Sequence, residues 1–154
     1  MKWSNVMSDY ITKFTGDTEW LSNYLESPIH IYGKTFKSVE AAYQSQKCLT
    51  RQNEFCSLDS TSASNLGHKV ELRQDWHEVR EDIMYQCLLA KFKPGSLFAK
   101  KLIETGDKHI MYSNRWHSNF WGMCNCRACK MQDKHNKLGL LLERVREELV
   151  CVNT

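Results

Sequence analysis

The sequence predicts an α+β fold, a single mainly helical domain with a few short strands. Three observations carry it: apolar residues recur at helical spacing in two long segments, serine and aspartate stand where helices begin, and strict alternation is confined to one short stretch. No internal repeat, low-complexity tract or Pro/Gly-rich linker divides the 154 residues. One domain spanning 1–154, with its core about 14–149, is the expectation, and that length suffices for a real core.

Residues 28–37 alternate apolar and polar around Tyr32-Gly33, which predicts a small hairpin. Ser38 then stands where it can cap a helix through Lys47. A longer helix is expected from Asp75, because Asp75 and Glu78 have capping-box spacing and Val79, Ile83, Met84, Cys87 and Leu88 share a face. Pro94-Gly95 ends it, and Ser96 can cap a further helix to about Glu104, before Gly106. Residues 107–113 suit a short strand. The last helix is expected over Lys137 to Leu149, with Leu138, Leu141, Leu142, Val145 and Leu149 facing inward.

Composition narrows the function. A net charge of +3 fits a protein that visits an anionic ligand and argues against one that coats duplex DNA with a broad basic patch. No segment approaches the roughly 20 apolar residues of a membrane helix. Met1 to Phe14 lack the apolar core of a signal peptide, so a cytoplasmic address is expected and a membrane partner is not. Seven cysteines, an odd number, point to free thiols or a metal site rather than a disulfide framework.

Three segments could carry chemistry. Glu40, Gln44 and Lys47 are spaced to share one helix face. The helix dipole favours the Glu40 anion, while burial in a pocket pushes its pKa toward that of a general acid. Cleavage at an anomeric carbon needs such a carboxylate, and an amine there can instead form a Schiff base. A glutamate early in a helix and a lysine later on it are equally ordinary residues of a solvated face. Trp76, Phe120 and Trp121 are platforms for a base or ribose, or else core. Gly67, Gly122 and Gly139 suit close backbone approach to a phosphate, or simply turns. Cys124, Cys126 and Cys129 fall within six residues, and His117 and His135 flank them. Cys124, Cys126, Cys129 and His135 make a candidate set for a structural zinc ion, with reduced thiols the alternative. No His-Glu motif accompanies them, so no cofactor is expected to be required for catalysis.

Taken jointly, Leu21-Ser22-Asn23-Tyr24, Ser38 to Lys47, Leu66 to Trp76, Phe120-Trp121-Gly122 and Asn136 to Gly139 resemble the NADAR family of N-glycosidases. The resemblance implies hydrolysis of an N-glycosidic bond, with Glu40 as catalytic carboxylate and Lys47 as the candidate covalent amine. It implies substrate contacts from Ser22, Asn23, Tyr24, Gln44, Gly67, Arg73, Trp76, Phe120, Trp121, Gly122, Asn136, Leu138 and Gly139. The implied partner is ADP-ribosylated nucleic acid or an ADP-ribose-like nucleotide, the leading reaction being removal of ADP-ribose from guanine in DNA. Phosphoribosyl intermediates of riboflavin synthesis are the second candidate, and a non-catalytic binder of NAD-derived nucleotides the third. A zinc-dependent interaction protein is a further reading. Four positions depart from the family pattern: Ala41 for histidine, His68 for arginine, Ser118 for aspartate, and Tyr112 or Ser113 for glutamate. They bear on substrate and phosphate recognition. The cysteine insertion resembles phage-encoded members, for which reversing a toxin's mark on DNA is the implied role.

Overall fold

The computed structural model describes residues 9–152. In chain order its elements are β1 (Tyr10–Ile11), β2 (Ile29–Ile31), β3 (Lys34–Phe36), α1 (Val39–Ser45), α2 (Ser60–Gly67), α3 (Trp76–Lys91), α4 (Leu97–Glu104), β4 (His109–Ile110) and α5 (Lys137–Val152), with 3-10 turns at Gly16–Leu21, Leu49–Ser57 and Arg127–Cys129. Helices dominate and the strands are short, which is the expected α+β class. The described residues form two compact units, one of residues 21–93 and one that joins residues 9–20 to 94–152.

The 21–93 unit is built around α1. Before it, β2 and β3 pair antiparallel, Ile29 opposite Phe36, with Tyr32 and Gly33 as a two-residue turn. Both turn residues take positive φ, 57° and 71°, the geometry whose twist matches a hairpin. Glycine adopts it freely, whereas Tyr32 is held there with its hydroxyl against the Cys87 thiol of α3. Ser38 caps α1 by accepting from the Ala41 amide at 3.1 Å. Every residue of α1 is buried, since α2, α3 and the 49–57 turn all pack on it. The helix stops at Ser45, two residues short of the expected end. The amides of Gln46 and Lys47 turn back to the Tyr43 and Gln44 carbonyls, which tightens the last turn and puts Lys47 just beyond the helix.

The sequence pattern missed α2, capped by Asp59 through the Ser62 amide at 2.8 Å. It anticipated α3 but misjudged how α3 begins. Asp75 makes no side-chain cap, because Arg73 takes both of its carboxylate oxygens at 2.6 and 3.0 Å. A bidentate guanidinium outcompetes a single backbone amide for that group. Ile83, Met84, Cys87 and Leu88 are buried as expected, and Val79 is half-buried.

In the second unit β1 lies parallel to β4, Tyr10 opposite His109. The strand expected over 107–113 is only two residues long. Ser96 caps α4 through the Ala99 amide at 3.1 Å. α5 packs against α4 and β4, burying Leu138, Leu141, Leu142, Val145 and Leu149 as the pattern required. No helix among the described residues is long and apolar enough to cross a membrane.

Ser38 has a second role. Its hydroxyl pairs with that of Ser60 at 2.7 Å, and Ser60 donates to the Tyr24 carbonyl at 2.9 Å. Ser38→Ala is therefore expected to lose a cap and a buried partner together, costing about 1–2 kcal/mol of unfolding free energy in urea titration.

Candidate active site

Glu40 enters the first turn of a helix that has no solvated face, and it is only 8% exposed. Burial raises its pKa above the usual carboxylate range. The Gln44 amide, donating to Oε1 at 2.8 Å, and the charges of Lys47 and His68 pull the other way without prevailing. Lys47 shows the opposite sense. Burial lowers its pKa and the Glu40 charge offsets only part of that. Its Nζ stands 5.7 Å from the centroid of the Trp76 ring, and that ring in turn packs on Tyr43 with centroids 5.1 Å apart. Burial thus favours a protonated acid at 40 and a neutral amine at 47, the protonation states that acid catalysis and amine attack require.

Gln44 is held in place from behind. A Cβ on Gly67 would stand 1.9 Å from Gln44 Oε1, so the close passage of the α2 terminus against this amide requires glycine. That oxygen is buried without a hydrogen-bond partner, as is Oδ1 of Asn23. Asn23 lies in the turn that follows the 16–21 segment: its carbonyl accepts from the Glu40 amide at 3.1 Å, and its Nδ2 faces Met84 Sδ at 3.5 Å. Two buried, unsatisfied acceptors close to a carboxyl group cost free energy unless a ligand hydroxyl or amine completes them. Tyr24 rises beside them, 49% exposed, with its hydroxyl bonded to Ser64 and sensing the Glu40 charge. The Ser22 hydroxyl accepts from the Tyr24 amide at 3.2 Å.

Of the residues singled out from sequence, Ser22, Asn23, Tyr24, Glu40, Gln44, Lys47, Gly67 and Trp76 therefore belong to the 21–93 unit and surround α1. Arg73 belongs there too, with its guanidinium engaged by Asp75; its amide donates to the Lys47 carbonyl at 2.8 Å, which fixes the backbone beyond α1. The others form a second group in the other unit. Phe120, Trp121 and Gly122 run beside the entrance to α5, their carbonyls accepting from Lys137, Leu138 and Asn136. Asn136, at φ 47°, gives its side chain to backbone: Oδ1 accepts from the Tyr112 amide and Nδ2 donates to the Ile110 carbonyl, each at 2.9 Å. Gly122 and Gly139 permit backbone crossings, since a Cβ would meet the Tyr112 carbonyl at 2.1 Å and the Ile110 carbonyl at 2.0 Å. Phe120 meets Trp121 edge-on, centroids 4.8 Å apart, and both rings are half-buried.

The expected metal set needs one correction. His135 lies against Phe120, ring centroids 6.2 Å apart, and not with the thiols. His117 takes that place: its ring and the sulfurs of Cys124, Cys126 and Cys129 come within 4.8 Å of one another. The His135 backbone amide donates to the Asn119 carbonyl in the stretch that leads into α5, and its ring is turned to Phe120.

One residue of this region escaped the sequence reading. Lys91, at the end of α3, is 5% exposed and donates to the Ser22 carbonyl at 2.9 Å. Burial lowers its pKa to about 7. The signal was present: Met84, Leu88 and Lys91 are spaced i, i+4, i+7, so a lysine sits on the buried stripe.

Comparison with known proteins matches residues 8–150 to the NADAR domain. An N-glycosidase of Nostoc punctiforme is 30% identical over 93% of this chain and 93% of its own length. The N-glycosidase YbiA of Escherichia coli is 29% identical, over 94% of this chain and 92% of its own. A riboflavin biosynthesis protein of Vibrio vulnificus is 29% identical over 95% of this chain, which spans 40% of that protein. The NMR structure of E. coli YbiA superposes with a TM-score of 0.78 at 26% identity, covering 94% of this chain and 85% of that one.

Gly67→Ala is expected to push Gln44 off Glu40 and lower turnover at least about tenfold with little change in helix content, read by steady-state kinetics beside circular dichroism. For Lys91, the unfolded chain binds a proton that the native state gives up between about pH 7 and the ordinary lysine range. Stability from this group therefore increases as pH rises from about 7 to about 9, and urea melts of Lys91→Met should show a smaller increase over that interval.

Proposed function

The chain belongs to the NADAR family, and from that premise we propose that it removes ADP-ribose from guanine bases of DNA by hydrolysing the N-glycosidic bond. It is a hydrolase of N-glycosyl bonds; the identity of the group it releases is the proposal. The observation that carries the mechanism is the burial of Glu40, with its raised pKa, against Gln44 and close to an amine whose pKa burial depresses.

In this mechanism the C1′–N bond breaks with its electron pair leaving on the base nitrogen, and the Glu40 proton passes to the departing base. Positive charge grows on C1′ as that bond lengthens, and the newly formed Glu40 carboxylate stabilises it. Turned toward the ligand on binding, the Asn23 and Gln44 amides suit the ribose hydroxyls, whose donation would complete the two buried acceptors. Tyr24 offers an exposed ring for stacking, worth about 1–3 kcal/mol per base. Two captures of C1′ are consistent with these residues. Water adds directly, its proton returning to Glu40, or the neutral Lys47 amine adds and opens the sugar to a Schiff base that water then hydrolyses. Either route releases free ADP-ribose and unmodified guanine.

A second reading has its own support. The Vibrio vulnificus relative is named for riboflavin biosynthesis, so a phosphoribosyl intermediate of that synthesis is the alternative substrate of the same chemistry.

The purified protein incubated with an oligonucleotide bearing ADP-ribosyl guanine is expected to release ADP-ribose. Failure there, with turnover of the riboflavin intermediates, transfers the activity to the second reading. Glu40→Gln is expected to lower kcat at least about 100-fold. It should melt no earlier than the parent, since the native state holds a carboxyl that resists ionisation and an amide spares it that cost. Borohydride added during turnover is expected to fix substrate to the parent if Lys47 captures C1′, and to fix none to Lys47→Ala.

A further inference from the structure

Residues 111–136 contain one turn of 3-10 helix and little other regular structure, which is long for a stretch that owes its order to backbone pairing alone. At its centre the His117 Nδ1 stands 3.2 Å from Cys129 Sγ, 3.3 Å from Cys126 Sγ and 3.8 Å from Cys124 Sγ. One imidazole nitrogen has a single in-plane orbital, holding either a proton or a lone pair, so it can bond one sulfur and not three. Three sulfurs converging on that nitrogen instead stand with it as the corners of a tetrahedron, the N–S separations being its edges. With zinc–sulfur bonds of about 2.3 Å and a zinc–nitrogen bond of about 2.0 Å, those edges are about 3.5 Å long.

We propose that His117, Cys124, Cys126 and Cys129 form a structural zinc site that holds the loop carrying Phe120, Trp121 and Gly122. Binding releases three thiol protons to solvent, forms three zinc–sulfur bonds and takes the His117 lone pair into a zinc–nitrogen bond, leaving a net charge of −1 on the centre. The set is closed, with four protein ligands and no open position, which is the arrangement of structural rather than catalytic zinc.

The surroundings fit such a centre. The Asn119 side chain, 8% exposed, accepts from the Cys124 amide at 2.9 Å, donates to Gln132 at 2.9 Å and is hydrogen-bonded to Cys129. Supporting bonds of this kind fix ligand orientation. Lys134, reaching the carbonyls of Cys129 and Gln132 at 3.0 and 3.1 Å, supplies positive charge next to the anionic centre. His117 itself takes φ 63°, a conformation that non-glycine residues hold only when something repays it. The segment from His117 to Cys129 is thereby closed at both ends, and Phe120-Trp121-Gly122 lies within it.

The full-length chain, prepared under reducing conditions with zinc and desalted, is expected to retain one zinc per chain by elemental analysis. Cobalt added to the metal-free protein should give tetrahedral ligand-field bands and sulfur-to-cobalt charge transfer that saturate at one equivalent. His117→Ala should weaken cobalt binding at least tenfold, and His135→Ala should leave it unchanged. A strong chelator should speed limited proteolysis between residues 116 and 131. Folded protein that retains no zinc and gives no cobalt bands overturns the site. A disulfide among the three cysteines overturns it too, as does loss of binding in His135→Ala with His117→Ala unaffected. None of these readouts depends on the glycosidase reaction.

Discussion

A helix buried on all sides is the constraint from which the 21–93 unit follows. Each polar atom of α1 that leaves water needs a partner inside the protein. The Ser38 hydroxyl, the Ser60 bonds to Ser38 and to Tyr24, and the Gln44 bond to Glu40 are answers to that requirement. Ala41 and Ala42, both wholly buried, allow the neighbouring helices to approach closely enough to impose it. Polar chemistry is thus built into a core position rather than placed on a rim.

The same burial sets the electrostatics. Glu40 and Lys47 attract each other, which alone would stabilise both charges and leave an inert ion pair. Loss of hydration outweighs that attraction for each group, so the pair is biased toward neutrality. His68 contributes only a weak opposing charge to Glu40, with its ring turned to the Ser64 carbonyl at 2.6 Å. The departure from arginine at that position therefore places an imidazole where the family pattern has a guanidinium. Ala41 removes a second imidazole from the vicinity of the carboxyl group. Both changes lessen the cationic field against which desolvation acts.

The sequence disclosed those elements whose signals are local. The Tyr32-Gly33 turn, the Ser38 and Ser96 caps and the apolar stripe of α5 each depend on residues within one or two turns of each other, and each was legible. α2 was not, because Ser60–Gly67 buries only Ser60, Ala63 and Gly67 and so presents no apolar periodicity. The capping box at Asp75 failed for a competitor two residues upstream, which spacing alone does not weigh. The carboxylate, amine and tryptophan around α1 were identified as a group from family pattern and helix spacing. Lys91 and the unsatisfied oxygens of Asn23 and Gln44 depended on tertiary burial, and the choice of His117 over His135 on which ring the folded loop brings to the three sulfurs. Spacing treats two flanking histidines alike; the fold of the loop separates them.

The parallel pairing of Tyr10–Ile11 with His109–Ile110 has a consequence for the order of events on the ribosome. The strand at residue 10 leaves the exit tunnel roughly a hundred residues ahead of its partner, and at about 5–20 residues per second it waits several seconds for it. During that interval the intervening stretch from Leu21 to Lys93 emerges complete with the hairpin, α1, α2 and α3 that pack on one another. The glutamate-bearing helix can thus be enclosed while the first strand is still an unpaired edge. Translation speed through codons 12–110 then governs how long that edge stays exposed to other nascent chains, a vulnerability that belongs to biosynthesis and not to the finished enzyme.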